Sequence, residues 1–349
     1  MANSFNAPYA DRINRLKEKV LTTYPEIDLE NARILTQSFH ETEGEVFVLR
    51  KAKAFRRQCQ EKTVEIWDDE LIVGNAGSKI RGGILSADVC WSVLDKELDT
   101  INTRPYDKFH LRPEDRKIFE EEIRPYWKGR SNYEAWLAQI PEDVAALRDN
   151  GALYIDKKAV RGWGEVTAGY EWFIKNGVNG IVKLVEAQKA GLDATRPGDY
   201  EKEAYLDSLL VVAEGMLTLA ERYALEADRL ASAEKDPARR RELRKIAEIC
   251  RHVPAQPACT FHEALQSFYF YQIFLFMEQN AAAYNPGRMD QYLYPYYKAD
   301  HDAGRITPEE AQELLDCLWV KFSEQCLFQD GKSAEYSSGY PMFQNLCAG

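Results

Sequence analysis

The 349 residues are 45% hydrophobic and 29% charged, with 45 Lys and Arg against 56 Asp and Glu and a formal net charge of −11. That balance describes a soluble globular chain long enough for one large core or two smaller ones, and it excludes the disordered, collagen-like and disulfide-scaffold classes. No Lys/Arg-rich block concentrates the minority charge, and the longest apolar run, Phe268 to Met277, is about half a bilayer span and is broken by Gln272, so neither a nucleic-acid nor a membrane partner is expected.

The N-terminus has no apolar stretch followed by a small-residue cleavage site, so the expected compartment is the cytoplasm. Asp28 can cap a helix from Glu30 to His40. A second helix is predicted from about Glu45 to Glu61, where Val46, Leu49, Ala52, Ala54 and Phe55 recur on one side. From Thr63 the texture changes: Glu70 to Val73 is short and apolar, and Gly74, Gly77, Gly82 and Gly83 break regularity, which predicts a brief extended segment and a loop. Asp88 to Thr100 and Arg112 to Lys128 return to helix, the latter with Pro113 in its first turn.

Between Asn150 and Gly180 the chain is rich in glycine and aromatics and predicts a long shaped loop leading into a helix near Gly169 to Lys175. Helices are then expected over Tyr200 to Ala233, Pro237 to His252, Phe261 to Asn280, Arg288 to His301 and Thr307 to Gln325, with Thr307 and Glu310 in capping-box spacing. Met342 to Cys347 is apolar and strand-like, and nothing downstream of it supplies a pairing partner.

Three groups of residues could carry chemistry. The loop around Arg161 offers a guanidinium, the Trp163 indole, the Glu165 carboxylate and the Tyr170 phenol, but its glycines lack nucleotide-binding spacing. Arg161 could read an anion with its planar fork; the plainer account, favoured by the residues alone, is a structural loop. In the second group, Ala281 to Ala283 would let another element or a ligand approach the backbone, while Arg288 pairs with Asp290 at a helix start. Third come the cysteines. Cys90, Cys250, Cys259, Cys317 and Cys326 lie in or beside helical patterns without a His and an acid at local spacing, so buried structural thiols are expected. Seven cysteines without CxxC and five histidines without HxxxH or HExxH give no expectation of a metal site.

Several blocks in order along the chain resemble the glycyl radical enzyme family, which includes pyruvate formate-lyase, glycerol dehydratase, choline trimethylamine-lyase, isethionate sulfite-lyase and hydroxyproline dehydratase. They are ARILTQSFHETEGEVFVLRKAKAF at 32–55, DDELIVGN at 68–75, RPYDKF at 104–109, GYEWFIKNGVNGI at 169–181, GRMDQYLYPYY at 287–297, LLDCLWVKF at 314–322 and GYPMFQNLCAG at 339–349. The resemblance implies a mainly α chain, residues 1–349, forming the helical N-terminal part of a ten-stranded α/β barrel, with few strands of its own. It also implies an anaerobic enzyme, homodimeric at full length, that binds no cofactor directly. An activating enzyme using S-adenosylmethionine and an iron–sulfur cluster installs a radical on a C-terminal glycine, and a cysteine relays it to a small-molecule substrate. No GCVE-like cysteine loop and no RVAGY-type glycine motif occurs in residues 1–349. By the family's pattern both lie further on, so no catalytic residue is expected in this chain and, alone, it is expected to be inactive.

The polyol dehydratases of the family read substrate hydroxyls with two histidines and a serine. At the matching positions this sequence has Glu165, Ala282 and Ala283, and Arg161 resembles the arginine that isethionate-type enzymes direct at a sulfonate. The expected substrate-reading set is therefore Arg161, Trp163, Glu165, Tyr170, Ala282, Ala283 and Tyr284. The leading expectation is a C–X bond lyase acting on a small polar, preferably anionic substrate such as a short sulfonate. A choline trimethylamine-lyase-like activity ranks next and a formate C-acetyltransferase-like one third. From another class, a non-catalytic helical binding module or half-enzyme stays open.

Overall fold

A computed structural model describes residues 9–150, 152–153, 160–162, 164–193, 195–340 and 342–349. Helices dominate, and most stand where the sequence predicts them: Glu30–Glu41, Phe47–Glu61, Asp199–Ala233, Pro237–His252, Phe261–Glu278, Met289–Asp302 and Pro308–Ser323. Three of these starts are fixed by side-chain caps. Thr260 with Glu263 and Thr307 with Glu310 form reciprocal capping boxes, and Asp236 accepts from the amides of Ala238 and Arg239. Asp28 is not the cap of the Glu30–Glu41 helix, whose N-cap is Leu29; it stands one residue earlier, accepting the Glu30 amide at 3.1 Å while its other oxygen accepts the Ser78 amide at 2.6 Å. One carboxylate thus ties a helix start to a distant loop.

Three predicted elements differ. Asp88 to Thr100 is not one helix but two single turns, Ala87–Cys90 and Ser92–Asp95, followed by further turns. Arg112 to Lys128 is helical throughout, but it passes through a π-helical turn at Phe119–Ile123 just before Pro125. Pro125 cannot donate to Glu121 and its ring crowds that carbonyl, and a widened turn relieves both problems. Glu70 to Val73 is extended yet joins no ladder. Gln266 takes a strand's place: its Oε1 accepts the Val73 amide at 2.9 Å and its Nε2 donates to the Val73 carbonyl at 2.8 Å.

The strands are instead Glu26–Asp28 (β1) and Gly82–Ile84 (β2), paired in parallel. Isolated parallel bridges extend this pair to His110 on one side and Cys326 on the other. A second group of bridges joins Val166 to Tyr284 and Gly287 to Leu346. The described residues do not close a ten-stranded barrel; they form these two groups of short parallel tracks. Met342 to Cys347 has partners after all, upstream in the chain: Ala283 donates its amide to Met342 at 2.6 Å, and Cys347 donates to Gly287 at 3.0 Å.

Two cores lie under this layer. The larger surrounds Phe261–Glu278, buried on every side but the Tyr271, Leu275 and Glu278 stripe; the smaller gathers Ile27, Phe39, Trp91, Phe109, Phe119 and Trp127. The Asp68–Asn75 loop, whose Leu71, Ile72 and Val73 join the larger core, is held there by a buried charge cluster in which Lys321 donates to Glu70 and to Glu324, each at 2.6 Å. Two carboxylates therefore share one ammonium. Burial pushes the Glu324 carboxyl up to about 7, against the pull of Lys321.

The Tyr170–Lys189 helix carries a break at Gly177 (φ 65°, ψ 178°), close to where the predicted helix ends. A Cβ there would lie 2.7 Å from the Ala255 carbonyl oxygen and the Gln256 carbonyl carbon, both backbone. Gly177→Ala is expected to destabilise the fold by about 2 kcal/mol, read as a lower urea midpoint at unchanged slope. Because Glu324 keeps a proton in the native state that the unfolded chain loses, it makes stability fall as pH rises from about 4.5 to about 7. Glu324→Gln is expected to flatten that part of the stability profile.

Candidate functional site

The Gly-rich loop and the Asn280–Asn285 segment, separate in the sequence, lie side by side. Gly162 donates its amide to Asn280 at 3.2 Å, Glu165 to Ala282 at 2.9 Å, Val166 to Ala283 at 3.0 Å, and Asn285 returns a bond to Val166 at 2.8 Å. Such a close approach demands small residues. A Cβ on Gly162 would stand 2.6 Å from Gln279 Cβ, and one on Gly164 would overlap the Ala282 carbonyl oxygen. The Ala281, Ala282 and Ala283 methyls are buried beneath this contact.

Arg161 begins the paired stretch with its side chain buried, at 5% residue exposure. Its Nη1 faces Gln329 Oε1 at 3.4 Å, and its Nη2 lies 4.0 Å from Glu165 Oε1, the outer limit of an ion pair. Glu165 reaches that position from a left-handed backbone (φ 63°) and keeps its carboxylate about half exposed. Ala283 is also left-handed (φ 64°), so both strips turn where they pair. Trp163 lies outside the described residues.

Two members of the expected set stand further back. Tyr170 is enclosed by Phe268, Tyr271 and Tyr292, and its hydroxyl donates to Gln272 Oε1. Burial raises its phenol well above the ordinary range, so it stays a neutral donor. Gln272 passes the contact on, donating to the Tyr284 carbonyl at 2.8 Å. Tyr284 itself is buried, with its ring against Phe276. Tyr170 and Tyr284 therefore support the strip from behind, while Arg161, Glu165, Ala282 and Ala283 sit at the pairing itself.

Gln329 is the residue that sequence reasoning missed. It is fully buried and, besides facing Arg161, its Nε2 donates to the Ser337 carbonyl at 3.0 Å and approaches Asp107 Oδ2 at 3.5 Å. Asp107 in turn accepts the Gly339 amide at 2.6 Å, and Arg104 donates to the carbonyls of both Asp107 and Gln329. A lone glutamine after a helix has no local signature, so only this convergence identifies it. Elsewhere two plain readings hold. Arg288 meets Asp290 at 3.0 Å and holds its carboxyl down to about 2, and burial pushes the Cys317 and Cys326 thiols up to about 12 and about 11. Cys259 departs from its expectation, being exposed rather than buried.

Comparison with known proteins assigns the fold. The model of the pyruvate formate lyase-like family matches residues 6–349. The chain is 36% identical over 348 residues to an isethionate sulfite-lyase of Desulfovibrio desulfuricans, covering 97% of this chain and 42% of that protein. A solved structure of 1,2-propanediol dehydration in Roseburia inulinivorans superposes with a TM-score of 0.95 at 35% identity, over 99% of this chain and 43% of that one. Hydroxyproline dehydratase of Clostridioides difficile, with trans-4-hydroxy-L-proline bound, gives 0.92 at 31% identity, over 97% and 43%. These relatives carry the names of a lyase and of dehydratases. The chain belongs to the pyruvate formate lyase-like family of glycyl radical enzymes and spans about two fifths of the length of these relatives.

If the small residues hold the two strips together, Gly164→Ala separates them. The amides of Glu165 and Val166 are then expected to exchange at least tenfold faster with deuterated solvent, a loss of about 1.4 kcal/mol of local protection, while amides of the Pro308–Ser323 helix stay unchanged.

Proposed function

We propose that this chain is the substrate-reading N-terminal portion of a glycyl radical C–X bond lyase whose substrate is small, polar and anionic, a short sulfonate fitting best. The observation that carries the reading is Arg161, a buried guanidinium at the start of the Gly162–Val166 strip. Out of bulk water its attraction for an anion is poorly screened, and its planar fork matches two oxygens of a sulfonate or carboxylate. Gln329 fixes one edge of the fork and Glu165 lies beside the other.

Fold alone does not choose the substrate. The structures of 1,2-propanediol dehydration and of hydroxyproline dehydratase superpose at 0.95 and 0.92, two conversions of different molecules on one frame. Ala282 and Ala283 add no side-chain hydrogen-bonding group, which argues against a neutral polyol read by its hydroxyls. The half-exposed Glu165 carboxylate supports a second reading, a cationic substrate of the choline type.

In this proposal the short parallel tracks are the first staves of the family's barrel, and the relay cysteine and radical glycine belong to chain not included in residues 1–349. The radical supplies hydrogen abstraction when present; the residues here bind and orient. Residues 1–349 mixed with the radical S-adenosylmethionine activase are expected to give no glycyl doublet by electron paramagnetic resonance, and a doublet would overturn this division of labour. In the activated whole enzyme, isethionate is expected to release sulfite and choline to release no trimethylamine. Arg161→Ala should cut kcat/KM for the sulfonate at least a hundredfold, about 2.7 kcal/mol, since a charge-assisted fork is lost from a desolvated site. Full activity of that variant would remove Arg161 from the reading.

A further inference from the structure

The Pro237–His252 and Phe261–Glu278 helices are joined by a tight connection that folds back on itself, and there three unlike ligand types converge. Nε2 of His252, Sγ of Cys259 and a carboxylate oxygen of Glu263 all lie within 4.8 Å of one another. The Pro257 carbonyl oxygen joins them, 3.0 Å from His252 Nε2 and 3.7 Å from Cys259 Sγ. We propose that His252, Cys259 and Glu263, with the Pro257 carbonyl, form a binding site for a thiophilic divalent metal ion of the Zn²⁺ class.

The spacing is that of ligands around a common centre. A Zn–S bond of about 2.3 Å and a Zn–N bond of about 2.0 Å at a tetrahedral angle hold sulfur and nitrogen about 3.5 Å apart. Cys259 Sγ and His252 Nε2 are 3.7 Å apart. Soft thiolate, borderline imidazole and hard oxygen together suit Zn²⁺ and disfavour Mg²⁺ or Ca²⁺, which take oxygen alone. Glu263 is already oriented, because its Oε2 accepts the amides of Cys259 at 2.8 Å and Thr260 at 3.1 Å as part of the capping box. An oxygen of the carboxylate so held lies within 4.8 Å of both other ligand atoms. This is the orientation by a second contact that metal-ligating carboxylates ordinarily have.

Binding also follows simple proton accounting. The Cys259 thiol gives its proton to solvent and becomes the thiolate ligand. His252 binds through Nε2 with its proton on Nδ1, giving up the contact with the Pro257 carbonyl, whose oxygen turns to the cation. The sequence hides this set. His252 and Cys259 are seven positions apart and Cys259 and Glu263 four, a spacing that fits neither paired-cysteine nor paired-histidine patterns. Exposure of Cys259, unlike the five buried thiols, is what the site requires for a metal to enter.

Metal-free residues 1–349, titrated anaerobically with Co²⁺ as the spectroscopic substitute, are expected to show a thiolate-to-cobalt charge-transfer band and the intense visible bands of a four-coordinate ion, both bleached by Zn²⁺. Cys259→Ser should abolish the charge-transfer band, and His252→Ala should weaken Co²⁺ binding at least tenfold. Cys347→Ser, which removes the other exposed thiol, should leave both unchanged. All three positions are at least partly exposed, so circular dichroism should report intact helices in every variant. Absence of the band in the wild-type chain, or its survival in Cys259→Ser, would overturn the proposal. The outcome is independent of Arg161 and of any radical activity.

Discussion

A helix that carries large apolar side chains on most of its circumference must be covered on most sides, and Phe261–Glu278 imposes that requirement on the rest of the chain. Phe268, the stacked pair Phe270 and Phe274, and Phe276 face three directions, yet all are buried. Each is worth about 1.5–3 kcal/mol relative to exposure, so leaving any one face open would cost a substantial share of the whole stability. The surrounding helices supply most of the cover. Where they do not, irregular backbone does, and irregular backbone needs hydrogen-bond partners that a helix surface does not ordinarily offer. The polar residues inside the apolar run answer this need: Gln266 serves the Val73 peptide groups, and Gln272 serves the Tyr170 hydroxyl and the Tyr284 carbonyl. The glutamines that interrupt the apolar run are therefore a structural necessity of the packing around it.

The same helix positions the candidate site. It ends at Glu278, and the chain leaves it extended, with Asn280 anchored by its amide to Ser86 and by its side chain to the Ile84 carbonyl. That fixes the Asn280–Asn285 strip, against which the Gly162–Val166 strip can lie only because neither presents bulk. Arg161 is thereby carried to a buried position on a loop rather than on a helix or strand, held through Gln329 to a network that reaches Asp107 and the Ser337–Tyr340 turn. A rigid scaffold supports a shaped loop, and the loop carries the recognition chemistry. At the other end of the helix, the capping residue Glu263 faces His252 and Cys259. One element thus orders both the candidate substrate-reading strip and the His252, Cys259 and Glu263 cluster.

Much of this was legible because it is local. Capping boxes at Thr260 and Thr307, the proline and aspartate that start Pro237–His252, and the three-to-four periodicity of the longer helices act within a turn or two. The family blocks were legible too. What local patterns could not supply was the partner of each irregular segment. Glu70 to Val73 has strand-like residues but is satisfied by a glutamine nearly two hundred positions away, and Met342 to Cys347 is paired by a segment that precedes it. The Asp88–Thr100 pattern overestimates a helix because its apolar residues answer to a core assembled from Phe109, Phe119 and Trp127 rather than to one helical face.

By itself, then, the sequence determined the helical class, the positions of most helices, the family, and the residue types available for binding, since all of these follow from composition, short-range spacing or ordered blocks. Tertiary structure alone decided that the glycine loop and the alanine triplet are two sides of one contact and that Tyr170 stands behind the strip while Arg161 lies at it. It alone brought Gln329 to Arg161 and gathered His252, Cys259 and Glu263 around one point. The reason is physical. Helix formation is settled by bonds four residues apart, whereas a site is settled by which distant backbones can approach closely enough to satisfy one another, and that depends on every element packed around them.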